Sequence, residues 1–111
     1  MKLKTFAIDI DGVLCVTEKS DYHKSKPNIL AINKVNKLYE KGNKIIIFTA
    51  RYMGRNNNDV SKAKAEGYDL TVKQLKEWHV KYHKLIMGKP SYDIIIDDKA
   101  HNYSKNWIND F

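Results

Sequence analysis

The chain has 111 residues, 42% of them hydrophobic and 30% charged, the profile of one folded domain with no room for a separate cap or lid. Its 20 basic residues against 13 acidic ones give a formal charge of +7, which favours anionic partners such as phosphorylated small molecules, nucleic acid or an acidic membrane face. The single cysteine, Cys15, excludes an internal disulfide framework, no stretch approaches the roughly 20 apolar residues of a membrane span, and a reducing cytoplasm is the expected setting.

The first apolar run, Phe6 to Ile10, is too short for a helix and apolar on both faces, as a buried parallel strand reads. It leads into Asp9-Ile10-Asp11-Gly12, and the following stretch, Val13 to Pro27, is long enough only for a short flap. Pro27-Asn28 then opens a helix with Ala31, Val35, Leu38 and Tyr39 on one face, and Gly42 closes it. Ile45 to Phe48 predicts the second strand and ends in Thr49-Ala50-Arg51. Asn56 to Glu66 is expected to form a helix ending near Gly67, and Thr71 to His83 another amphipathic one with Thr71 as its N-cap. Leu85-Ile86-Met87 is a weaker strand candidate before Gly88-Lys89-Pro90, and Ile94 to Ile96 is the third principal strand, before Asp97-Asp98. Strands alternating with helices imply an α/β fold, Rossmann-like and three-layered, with a parallel sheet. No internal repeat or low-complexity tract interrupts the 111 residues, which read as one domain.

In such a sheet the carboxyl ends of the strands share one edge, where open α/β folds bind ligands. Asp9, Asp11, Asp97, Asp98, Thr49 and Lys89 are therefore expected to converge. Clustered carboxylates repel each other unless a cation neutralises them, and an oxygen-only donor set suits Mg²⁺ completed by a substrate phosphate.

Asp9-Ile10-Asp11-Gly12-Val13-Leu14, then Thr49, then Lys89-Pro90, then Asp97-Asp98 resemble the four ordered motifs of the haloacid-dehalogenase-like phosphohydrolases. Phe48-Thr49-Ala50-Arg51 and Ile95-Ile96-Asp97-Asp98-Lys99-Ala100 resemble in particular a small capless branch associated with capsule and surface-polysaccharide synthesis. The resemblance implies a Mg²⁺-dependent phosphatase in which Asp9 is the nucleophile and forms an aspartyl-phosphate. It implies that Asp11 protonates the leaving oxygen and then activates water. Asp9, the Asp11 carbonyl, Asp97 and Asp98 would hold the metal, while Thr49 and Lys89 would bind the phosphoryl group. The chain lacks the further Asp beyond Asp98 that many members carry, so the division of labour within the Asp97-Asp98 pair stays open.

The expected substrate is a phosphorylated sugar, polyol or related metabolite. A nucleotide or nucleic-acid end is the alternative ester, although no nucleic-acid-binding motif is present and the lysines are dispersed. A receiver-like phosphoacceptor domain is disfavoured, because receivers place Lys-Pro after the acceptor Asp and Thr at the last strand. Without a cap the site would be open, and a second subunit could cover it. Only two of the basic residues are arginines, Arg51 and Arg55, and their planar forks suit recognition of the substrate's anionic part. Lys19, Lys24 and Lys26 could steer anions. Cys15 reads as a packed thiol, His79 and His83 as a surface or half-buried pair, and Trp78, Trp107 and Phe111 as packing residues.

Overall fold

A computed structural model describes residues 2–111. Three parallel strands form the sheet in the order β1 (Thr5–Ile8), β4 (Lys44–Thr49), β5 (Lys84–Met87). The register pairs Ile8 with Ile47 and Thr49 with Met87. Between β1 and β4 lie a two-stranded antiparallel hairpin, β2 (Cys15–Val16) and β3 (Lys26–Pro27), and helix α1 (Ile29–Glu40). Helix α2 (Val60–Glu77) joins β4 to β5. The parallel α/β architecture expected from the sequence is the one observed.

Helix α1 forms where its pattern directs. The Asn28 side chain accepts from the Ala31 N–H at 3.2 Å, and Ala31, Ile32, Val35 and Leu38 are buried. At the other end the Asn43 N–H reaches Leu38 O and the Gly42 N–H reaches Tyr39 O, with Gly42 at φ +99°. This pair of bonds satisfies the last carbonyls and requires a left-handed residue, which glycine adopts without steric cost. The main core gathers Ile8, Ile10 and Leu14 with Val35, Ile45, Ile47, Leu75 and Trp107. The opposite faces of β4, at Ile46 and Phe48, are half-buried.

Two sequence expectations are corrected. The stretches 56–66 and 71–83 are one helix, α2, running through Gly67 and capped by the Asp59 side chain on the Lys62 N–H. Gly67 does not end the helix: a Cβ there would lie 2.0 Å from two ring carbons of Tyr52, so it is a socket for that ring. Thr71 is inside α2, and its hydroxyl donates to Gly67 O at 2.8 Å, the backbone bond typical of a mid-helix Thr.

The second correction concerns the third strand. It is Lys84–Met87, whereas Ile94, Ile95 and Ile96 form no strand and are 80%, 53% and 96% exposed. An apolar run encodes a preference for burial but not a partner. Here the free side of β4 pairs with β5, and β1 remains an edge strand. Among the described residues no helix is long and apolar enough to cross a membrane.

Candidate active site

Asp9 follows β1, with Asp11 two residues on; Thr49 ends β4, and Lys89 lies two residues past β5. The parallel register places the residues after Ile8, Thr49 and Met87 along one edge. Gly88 and Lys89 both donate their backbone N–H to Thr49 O, at 3.2 and 3.1 Å, which anchors the Lys89 backbone to the end of β4. Its ammonium lies 3.6 Å from Asp9 Oδ2, and Asp9 Oδ1 accepts from the Ile10 N–H at 2.8 Å. Burial pushes the Asp9 carboxyl above the ordinary aspartate range, against the pull of Lys89 and the Ile10 N–H; the nearby Asp11 charge adds to the rise. Thr49 is fully buried and its Oγ1 accepts the Arg51 N–H at 3.1 Å.

Asp9 and Asp11 open onto a cavity of about 480 Å³, lined also by Thr17, Ser20, Tyr22, Arg55 and Ser91. Its far wall is the loop after β4. Arg55 bonds Glu66 at 3.2 Å and Ser20 O at 2.9 Å, and it stacks over the rings of Tyr22 and Tyr52. The Arg55 guanidinium stands at the cavity wall, as a recognition residue should, but it is already paired with a carboxylate.

Arg51 is corrected. Its side chain is 0% exposed and does not reach outward to a substrate. Its fork clasps Asp11, with Nε 3.0 Å from Oδ2 and Nη2 3.0 Å from Oδ1. The remaining donors meet Gln74 Oε1 and Ser25 Oγ, and the Tyr22 ring covers the guanidinium at 4.9 Å. A buried guanidinium needs a carboxylate and filled donors to offset its desolvation, and Asp11 answers that need.

Asp97 and Asp98 are corrected as well. Both are exposed and outside the sheet, because the run that was to carry them to the strand ends pairs with no strand. Asp97 Oδ1 instead accepts the Lys99 N–H at 3.0 Å, and that bond, with one to Asp98, holds its carboxyl below the usual range. The Mg²⁺ donor set is therefore not assembled. Among the described residues no three His, Cys, Asp or Glu side chains meet in a group that could hold a metal ion. The residues at the strand ends do not fit the ion as the resemblance would place it.

The other side chains singled out in the sequence are placed as follows. Cys15 is buried 3.5 Å from Asp11 Oδ1; burial pushes its thiol up, away from nucleophilic thiolate chemistry. His83 Nδ1 accepts the Ile45 N–H, and its ring stacks on Tyr39; His79 lies past the end of α2. Trp107 is buried in the core, Trp78 packs against it, and Phe111 meets Phe6 edge-on. Lys19, Lys24 and Lys26 are exposed, Lys24 lying 3.8 Å from Asp21.

Sequence reasoning missed Thr17, Ser25, Tyr22 and Gln74. Gln74 had a usable signal: it shares a helix face with Thr71 and Leu75, and a polar group on a buried stripe must find a partner. Thr17 and Ser25 lie in the flap and carry no such pattern. The fold is similar to that of a crystal structure of an MCSG target from Vibrio cholerae, with a TM-score of 0.82 and 26% identity, covering 97% of this chain and 95% of that one. No protein-family model and no curated protein matches the chain.

Proposed function

We propose that the chain is a phosphatase that hydrolyses phosphate monoesters through Asp9. The observation that supports this reading best is the Asp9–Lys89 pair: a half-buried carboxylate with an ammonium 3.6 Å away, at the strand ends and open to a cavity of substrate size. Lys89 offsets the charge that repels a carboxylate from a phosphate dianion, so attack becomes feasible without a free anion in water. An Asp9 oxygen forms a bond to phosphorus as the bond to the ester oxygen breaks, and that oxygen takes the proton that Asp11 carries in its protonated form at the start of the cycle. Water then attacks phosphorus, Asp11 takes a proton back, and the P–O bond to Asp9 breaks to regenerate the carboxylate. Thr49 is fully buried and its hydroxyl oxygen accepts the Arg51 backbone N–H, so its part in this reading is to fix the turn after β4.

The hydroxyls of Ser20, Ser91 and Tyr22 around the cavity suit a polyhydroxylated leaving group, in keeping with a sugar or polyol phosphate. These steps use only side chains that meet at the strand ends, and none is routed through a metal. The test is phosphate release from a panel of sugar, polyol and nucleotide monoesters, with and without Mg²⁺ and chelator. Release from at least one ester, lost in Asp9→Asn, is expected. Equal release by Asp9→Asn from a contaminant-free preparation would overturn the assignment of the nucleophile.

A further inference from the structure

Resting on the phosphatase reading, we propose that Arg51 and Thr17 are positioning residues that occupy one oxygen of Asp11, Oδ1, and thereby reserve Oδ2 as the atom that carries the transferred proton. The two oxygens differ sharply in their partners. Oδ1 accepts the Thr17 hydroxyl at 2.6 Å and Arg51 Nη2 and Nε at 3.0 and 3.2 Å, with the Cys15 thiol at 3.5 Å. Oδ2 accepts only Arg51 Nε, at 3.0 Å. A carboxylate oxygen offers two lone-pair sites, so Oδ1 is saturated while Oδ2 keeps one free. The Asp11 side chain is 26% exposed and borders the cavity beside Asp9.

The hydroxyl hydrogens can be assigned by the same accounting. Thr17 has one proton and gives it to Asp11 Oδ1. The 2.6 Å contact between Thr17 and Ser25 is therefore donated by Ser25, whose own oxygen accepts from Arg51 Nη2 at 3.3 Å. The chain Arg51, Ser25, Thr17, Asp11 runs one way, with no donor left over. Gln74 holds the other side of the guanidinium, and its Nε2 donates to Tyr22 O at 2.6 Å. The plane of the fork is thus fixed from both α2 and the flap. Arg51 borders the cavity, but its side chain is 0% exposed and its fork is held on Asp11, so it acts on the reaction through Asp11.

The experiment measures kcat and KM with 4-nitrophenyl phosphate, phenyl phosphate and glycerol phosphate for the full chain and its variants. Thr17→Val should lower kcat about 10- to 100-fold for the poor leaving groups, less for 4-nitrophenyl phosphate, with KM little changed. Thr17→Ser should restore the rate, and Arg51→Lys should repeat the pattern. The Asp11→Asn/Thr17→Val double variant should be no slower than Asp11→Asn alone. Losses equal across the series, confined to KM, or multiplying with Asp11→Asn would overturn the proposal. If the wild type hydrolyses none of the esters in either panel, the phosphatase reading fails, and the positioning is judged by the crystal structure of Thr17→Val. An Asp11 carboxylate turned from its present orientation supports it, and an unmoved one overturns it.

Discussion

Gly67→Ala gives opposite signs under two accounts of that residue. As an ordinary glycine inside a helix, its replacement by alanine should stabilise the protein by about 1 kcal/mol. The structure puts the new methyl 2.0 Å from Tyr52 Cδ2 and Cε2 and 2.9 Å from Cγ, well inside contact distance. The ring cannot step aside cheaply, because Tyr52 is 5% exposed and wedged against Tyr22 at 4.6 Å and the Arg55 guanidinium at 4.8 Å. Overpacking of this kind costs about 1–3 kcal/mol, and three approaches under 3 Å place it at the upper end. Setting about 3 kcal/mol against a propensity gain of about 1 leaves a net loss of about 2 kcal/mol. For a chain of this length that is a fall of about 8 °C in Tm. Urea unfolding followed by circular dichroism reads the change as a shift in midpoint at constant slope. In a Tyr52→Ala background the clash is gone, and Gly67→Ala should then stabilise. A Gly67→Ala variant more stable than the wild type would refute the close approach of Tyr52 to α2.

Because burial raises the folded-state value of Asp9, the folded chain binds more protons than the unfolded one between the ordinary aspartate value and the raised one. Stability should therefore fall as pH rises through that window and stay reduced above it; Asp9→Asn should flatten the pH profile there and raise Tm at pH 7 while abolishing phosphate release. Thr49→Val leaves the buried Arg51 N–H without its acceptor and should cost about 1–3 kcal/mol in urea unfolding, whereas Thr49→Ser should recover most of it. Replacing both Asp97 and Asp98 by Asn alters only exposed side chains and should leave the unfolding free energy within about 0.5 kcal/mol of wild type. If the same variant loses phosphate release, the 94–98 segment joins the site during turnover.

Features that depend on local chemistry and on strand order were legible in the residues. Asn28 and Gly42 set the ends of α1 because capping is a matter of one side chain and one backbone conformation. Asp9, Thr49 and Lys89 could be placed on one edge because parallel strands joined by right-handed crossovers leave no other arrangement for their carboxyl ends. Other features depend on partners distant in the chain. Whether Gly67 ends a helix or receives a ring depends on Tyr52, fifteen positions earlier. Whether Arg51 faces solvent or Asp11 depends on the flap and α2 closing over it at Ser25 and Gln74. Whether Ile94 to Ile96 becomes a strand depends on which edge accepts it, and β4 pairs instead with the weaker candidate, Leu85 to Met87. In each case the residue's own preference was legible, but the partner that satisfied or frustrated it lay far away in the chain, where periodicity and spacing carry no information.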